Sequence, residues 1–222
     1  MIGDNLQKVS DTLLPNVRLV AVSKFHPVAA LQAAYDAGQR VFGESHVQEL
    51  VAKQEVMPKD IEWHFIGHLQ TNKVKYMAPF VSLIHAVDSV KLLKEIDKQA
   101  QKCNRLIDVL LQVHVAKEET KFGFSPDELV QMLEVGEWKL CGSVRIAGLM
   151  AMATNTDNEA QIAEEFDMVH SLFCHVKERF FADAPEFKEL SMGMSSDYQI
   201  AQQHGSTLVR VGSLIFGERE YH

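Results

Sequence analysis

Two kinds of segment alternate along the whole chain. Short runs rich in apolar and β-branched residues occupy 18–23, 40–44, 62–67, 83–87, 106–115, 144–149, 189–192 and 207–211. Their hydrophobicity is continuous rather than alternating, as expected of strands buried on both faces of a parallel sheet covered by helices. The intervening segments carry helical periodicity. Pro27 takes a first-turn position ahead of Val28, Leu31, Ala34 and Tyr35, and Gly38 is placed to close that helix. Ser89 caps a helix carrying Val90, Leu93 and Ile96, and Ser125-Pro126-Asp127-Glu128 reads as a capping box. The stripe Ile162, Phe166, Val169, Phe173, Val176, Phe180 is one long amphipathic face, and the first fourteen residues read as an extra helix ahead of the first strand.

Eight strand-then-helix units in 222 residues predict a single (β/α)8 TIM barrel over 17–222, preceded by an N-terminal helix within 1–16. The alternative is an open doubly wound sheet, which would usually show a Gly-x-Gly-x-x-Gly turn after its first strand. That turn is absent. No linker, low-complexity stretch or shift of composition divides the chain, so one domain spanning 1–222 is expected.

Composition narrows the function classes. The chain is 46% hydrophobic and carries a net charge of −8 with no basic run, which argues against a nucleic-acid binder. No window approaches the ~18 apolar residues of a membrane span, and the polar N-terminus lacks a signal-peptide pattern. Three cysteines, Cys103, Cys141 and Cys174, without Cys-x-x-Cys spacing suit reduced, buried or idle thiols in a cytoplasm.

Chemistry in a barrel belongs at the C-terminal strand ends. Ser195-Ser196-Asp197 follows Gly193-Met194 and opens a helical stretch, so hydroxyls and amide N–H groups converge there. Gly212-Ser213 follows the last strand, where a glycine lets backbone approach an anion. Each alone reads as a helix cap or a tight turn; at adjacent strand ends they point together to phosphate. Lys24 ends a strand whose Val20 and Val22 share its side of the backbone, so its stem starts inside the barrel mouth, although most lysines reach solvent. A desolvated amine attacks carbonyls, and a lysine beside a phosphate cradle suggests an aldehyde-bearing phosphate such as pyridoxal 5′-phosphate.

Several motifs carry a resemblance. Ala21-Val-Ser-Lys24, Phe42-Gly-Glu44 with Val47-Gln48-Glu49, and Trp63-His-Phe-Ile-Gly67 with Leu69-Gln70 and Asn72-Lys73 come first. Gly148-Leu-Met150, Leu190-Ser-Met-Gly-Met-Ser-x-Asp197 and Val209-Arg-Val-Gly212 with Ile215-Phe-Gly217 follow in collinear order. Together they resemble the pyridoxal-phosphate homeostasis protein family, which shares its barrel with the N-terminal domain of alanine racemase. The resemblance implies a pyridoxal 5′-phosphate cofactor held as a Schiff base on Lys24, with Ser195, Gly212 and Ser213 on its phosphate. It implies Arg210 facing the pyridine nitrogen, where an always-protonated group disfavours ring protonation and leaves a weaker electron sink. Ser45 stands where the family usually has Asn, offering a hydroxyl in place of an amide.

Other residues carry ordinary expectations. His64 and His68 straddle a strand end without helical ligand geometry, so a buried or hydrogen-bonded histidine at the barrel mouth is expected and no metal. The loop Lys121-Phe-Gly-Phe124 is placed to line the entrance or to anchor itself by its aromatics, and Met150, Met192 and Met194 fall where they would wall the pocket. Two functions compete: a carrier that holds and hands over pyridoxal phosphate to apoenzymes without established turnover, or an amino-acid racemase. Alanine racemase adds a β domain with a catalytic tyrosine, whereas this sequence stops at His222, and only Tyr198 and Tyr221 lie near the last motifs. The carrier, as a cytoplasmic monomer or weak dimer, is the expectation; a phosphate-binding barrel enzyme without any Schiff base requires Lys24 to point away.

Overall fold

The computed structural model describes residues 1–116 and 122–217. Eight parallel strands pair in chain order and close into a barrel, which excludes the open doubly wound alternative. They are β1 (Arg18–Val22), β2 (Val41–Glu44), β3 (Glu62–Phe65), β4 (Leu83–Val87), β5 (Ile107–Val113), β6 (Val144–Ala151), β7 (Glu189–Met194) and β8 (Leu208–Val211). Closure comes from β8 lying beside β1, with Val20 opposite Arg210 and Ala21 opposite Val211.

α1 (Ile2–Ser10) precedes the barrel as the extra helix. After the strands, in order, come α2 (Val28–Asp36), α3 (Val47–Val56), α4 (Val74–Met77), α5 (Val90–Lys102), α6 (Pro126–Val135), α7 (Glu159–Phe180), α8 (Tyr198–Gln203) and α9 (Ser213–Phe216). Their ends follow local chemistry. Ser125 Oγ accepts from the Glu128 amide while the Glu128 carboxylate accepts from the Ser125 amide, completing the capping box. Ser89 Oγ accepts from the Leu92 amide at the start of α5. Pro27 sits one position earlier than expected: its extended ψ of 156° makes it the cap, with its carbonyl accepting from Ala30. Gly38, at φ +103°, closes α2. No helix among the described residues is long and apolar enough to cross a membrane.

Strand periodicity divides the core into two layers. Leu19, Ala21, Phe42, Trp63, Phe65 and Val209 face outward against the helices, including the Phe166, Val169 and Val176 stripe of α7. Each such side chain contributes ~1.5–3 kcal/mol on burial. Val20, Leu83, Leu110, Ala147, Met150 and Leu208 fill the barrel interior instead. The same alternation turns Ser23 outward toward α3 and Lys24 inward at the mouth.

Candidate functional site

A cavity of about 310 Å3 opens at the C-terminal ends of the strands. Lys24, Ser45, Ser195, Arg210, Gly212 and Ser213 all line it, so the structure brings together the six residues singled out in the sequence. Val22, His26, Ile66, Met152, Met194, Ser196 and Gly217 complete the wall. Among the described residues the lining holds Lys24 and Arg210 and no carboxylate, in a chain with 30 acidic residues. Its field therefore favours an anion.

Lys24 lies two residues past the end of β1, and the backbone on either side of it is held. Ser23 Oγ donates to Glu44 Oε1 at 2.6 Å. Lys53 Nζ, from α3, donates to the Ser23 carbonyl at 2.7 Å, to Glu44 Oε1 at 2.7 Å and to Glu49 Oε1 at 2.6 Å. The Phe25 amide donates to Glu49 Oε1 at 2.6 Å. Phe25 itself has φ +67°, left-handed backbone that costs a bulky residue on the order of 1–3 kcal/mol. Glu44 is fully buried, its Oε2 has no partner, and burial pushes its carboxyl up to about 7 against the pull of Lys53 and Ser23.

The other wall comes from β7 and β8. Gly193 has φ +92°, and a Cβ there would stand 2.6 Å from Ala201 Cβ, so the glycine lets α8 pack onto β7. Asp197 Oδ1 then accepts from the Met194 amide at 2.6 Å and holds the Ser195-Ser196 turn at the cavity. Ser195 Oγ accepts from the Gly212 amide at 3.2 Å, tying the two loops. Gly212 lines the cavity, and its bareness also accommodates β1, since a Cβ there would meet the Val22 carbonyl at 2.9 Å.

Arg210 is buried, and its donors are committed. One terminal nitrogen donates to the Ser191 carbonyl at 2.9 Å and to Ser191 Oγ at 2.5 Å, the other to the Ala151 carbonyl at 3.1 Å. Burial lowers its pKa to about 10, with the Asp197 charge opposing, so it stays charged at neutral pH. The polar contacts continue downward: Ser191 Oγ lies 2.9 Å from His85 Nδ1, and His85 Nε2 lies 3.0 Å from His64 Nδ1. Burial depresses His64 to about 3 and His85 well below its ordinary value. His64 is thus buried, as expected, but it reaches a cavity at the N-terminal strand ends rather than the mouth. In-facing parity on β3 explains this, since His64 and Ile66 share one side and only Ile66 is high enough to line the upper cavity.

Other expectations divide. Met194 lines the cavity, but strand parity turns Met192 toward the helices, and Met150, although inward-facing, lies one residue pair below the cavity in the barrel interior; Met152, on the same face as Met150, takes the wall position instead. His68 pairs with Asp88 at 3.3 Å and stacks on Phe122 at 3.9 Å, while the Phe124 amide donates to the Gln112 carbonyl. Lys121 and Tyr221 lie outside the described residues. Tyr198 does not line the cavity; its hydroxyl lies 2.9 Å from Thr12 Oγ1. All three cysteines are free, but none is buried: Cys103 and Cys141 are half-buried and Cys174 is exposed. Among the described residues no group of three His, Cys, Asp or Glu is placed to hold a metal ion. Ser196 lines the cavity as part of the Ser195-Ser196-Asp197 motif, whereas His26 was not singled out; it lies two residues past Lys24, and that spacing was its only signal.

Comparison with known proteins agrees with this fold. The family model for the alanine racemase, N-terminal domain, matches residues 1–220. A pyridoxal phosphate homeostasis protein of Aquifex aeolicus is 40% identical over 206 residues, covering 92% of this chain and 88% of that protein. The solved structure of PipY from Synechococcus elongatus PCC7942 without PLP superposes with a TM-score of 0.89 at 37% identity, covering 98% of this chain and 100% of that one. The PipY structure with PLP bound gives a TM-score of 0.86 at 36% identity over the same shares of the two chains.

Proposed function

The chain belongs to the alanine racemase N-terminal domain family, among the pyridoxal phosphate homeostasis proteins, and from that premise we propose that it binds pyridoxal 5′-phosphate and serves its intracellular homeostasis. The observation that carries this reading is the upper cavity, which among the described residues gathers a lysine, an arginine, four serines and no carboxylate at adjoining strand ends. That donor set suits an anionic aldehyde, and about 310 Å3 lies within the ~300–1,000 Å3 range of small-ligand sites. When bound, pyridoxal phosphate supplies an aldehyde that a primary amine captures with loss of water.

The roles follow from position. Lys24 reaches inward from the end of β1 and holds the aldehyde carbon. The Ser195 and Ser213 hydroxyls and the Gly212 amide hold the phosphate, which would take the place of the Ser195–Gly212 contact. Ser45 reaches toward the ring, with one hydroxyl in place of the usual amide. Arg210 faces the ring nitrogen and, charged at neutral pH, disfavours its protonation. This supports a carrier that holds the cofactor rather than turning it over, and hands it to apoenzymes in the cytoplasm. Tyr198, tied to Thr12 away from the cavity, is not an opposing acid or base there.

Incubation with pyridoxal phosphate is expected to give a visible absorbance band that borohydride bleaches, with the reduced adduct on Lys24 by mass spectrometry. An adduct on Lys73 instead would displace Lys24 from its role. With L-alanine in deuterated water, negligible D-alanine is expected. Robust Lys24-dependent D-alanine would make the protein a racemase, because general acid–base help worth about 10²–10⁴-fold would then be present.

A further inference from the structure

We propose that Glu44, Glu49 and Lys53 are positioning residues for Lys24, forming a buried clamp between β2 and α3 that grips the backbone on both sides of the lysine and aims its amine into the cavity. The proposal rests on the reading that Lys24 captures an aldehyde.

The β1 ladder ends just before the lysine. Its last β2 partner pair is Val22 with Gly43, and the Ser23 amide makes a final bond to the Gly43 carbonyl at 3.1 Å. Beyond that point side chains take over from the sheet. On one side of Lys24, Glu44 takes the Ser23 hydroxyl and Lys53 takes the Ser23 carbonyl. On the other side, Glu49 takes the Phe25 amide. Lys53 joins both carboxylates, spanning i to i+4 on α3 to reach Glu49 and crossing to β2 to reach Glu44. A bulky residue in left-handed backbone persists only where its surroundings over-determine it, and Phe25 occupies that conformation directly after the lysine.

A structural ion pair would not need the remaining features. Glu44 keeps one carboxylate oxygen buried without any partner, a cost no other side chain among the described residues bears, in a position that touches the lysine's own strand. The groups acting on Glu44 are Lys53 and Glu49 from α3 and the Ser23 hydroxyl from β1; on β3 its register partner is the apolar Phe65. An ionised Glu44 is a stronger acceptor for Ser23 and Lys53 than a protonated one. Because burial raises its carboxyl to about 7, the clamp tightens as pH rises through neutrality. The lysine's presentation is thereby tied to pH through a group that never touches the cofactor.

Two ligands separate positioning from binding. Pyridoxal 5′-phosphate, trapped by borohydride at successive times, reports the rate of capture by Lys24. Pyridoxine 5′-phosphate, with an alcohol in place of the aldehyde, reports non-covalent affinity. Lys53→Met is expected to slow capture by about 10²-fold, the scale of an ångström-sized misplacement, while changing pyridoxine phosphate affinity by less than about threefold. Glu49→Gln, which keeps a carbonyl oxygen for the Phe25 amide, should recover most of the wild-type rate. The ratio of wild-type to Glu44→Gln capture rates should be near one at about pH 6 and grow toward about pH 8. If Lys53→Met does not fold, Glu49→Ala with Glu44→Gln decides by the same two readouts. Capture rates equal to wild type, or losses equal for both ligands, overturn the clamp. Wild-type protein that captures no pyridoxal phosphate at all overturns the functional reading beneath it, a result distinguishable because it needs no variant.

Discussion

The barrel has a cavity at each end, of similar size and opposite character. The upper one, about 310 Å3, is lined among the described residues by Lys24, Arg210 and hydroxyls without a carboxylate. The lower one, about 390 Å3, is lined by Arg18, Arg145 and Lys188 together with Glu62, Asp108, Glu186 and Glu189. There the charges answer one another: Arg145 bonds Asp108 through both carboxylate oxygens at 2.7 and 2.8 Å, and Arg18 lies 3.3 Å from Glu189 and 3.6 Å from Glu62. Volume does not distinguish a site from a surface recess. What distinguishes them is the balance of sign in the described wall. The lower end closes a barrel with ion pairs of small worth, whereas the described upper wall carries two cations and no acid among them.

Substitutions at the two ends should therefore differ in kind, and the largest difference is at the lysine. Lys24→Ala is expected to abolish the borohydride-trapped adduct entirely, with the melting temperature within about 4–8 °C of wild type, because the side chain lies at the mouth and not in the packed layers. A retained adduct would break the contrast outright. Next, Ser195→Ala combined with Ser213→Ala should weaken pyridoxal phosphate at least about tenfold more than pyridoxal. Hydrogen bonds to a charged group are worth ~1.5–3 kcal/mol each, and pyridoxal lacks that group. Equal losses would place the phosphate elsewhere.

Glu44 sharpens the comparison from behind the upper wall. Its carboxyl is raised from 4.5 to about 7 in the fold, so between those values the native state holds a proton that the unfolded chain has released. Its contribution to stability is complete below 4.5 and declines as pH rises, by on the order of 2–3 kcal/mol once pH passes the folded value of about 7. Glu44→Gln should lack this decline, so chemical denaturation of wild type and variant across that range should diverge upward in pH. Parallel profiles would contradict a buried, proton-holding Glu44. The smallest effect belongs to the lower end: Arg145→Ala or Asp108→Ala should cost ~0–1 kcal/mol in a denaturation curve and leave cofactor affinity unchanged.

The architecture was readable in the sequence because its cause is local. Parallel strands buried on both faces need continuous apolar runs, and every run from 18–23 to 207–211 became a strand of the closed barrel. Boundaries moved where the cause was geometric: β7 extends to Met194 because Gly193 takes φ +92°, and Pro27 caps α2 rather than beginning it. The six cavity residues were legible from strand ends and family resemblance together. What escaped was set by parity and by contacts between elements. Met152, not Met150 or Met192, faces the cavity: parity turns Met192 outward, and Met150, on the same inward face as Met152, sits one pair lower in the barrel. Glu49 and Lys53 stand at i, i+4 on α3, a pattern that usually marks a solvated helix face. Nothing within α3 discloses that this face is pressed against the end of β1.

The line of contacts below Arg210 couples two histidine tautomers. A guanidinium only donates, so Ser191 Oγ accepts from Arg210 and still has its own proton and a second lone pair for His85 Nδ1. Both imidazoles stay neutral, so each ring carries one proton, and the single hydrogen bond between His85 Nε2 and His64 Nδ1 sets the two tautomers together. The Ser191–His85 and His85–His64 links therefore change sense only in concert, between the arginine at the mouth and the mixed-charge recess below. Replacing either histidine would remove that coupling.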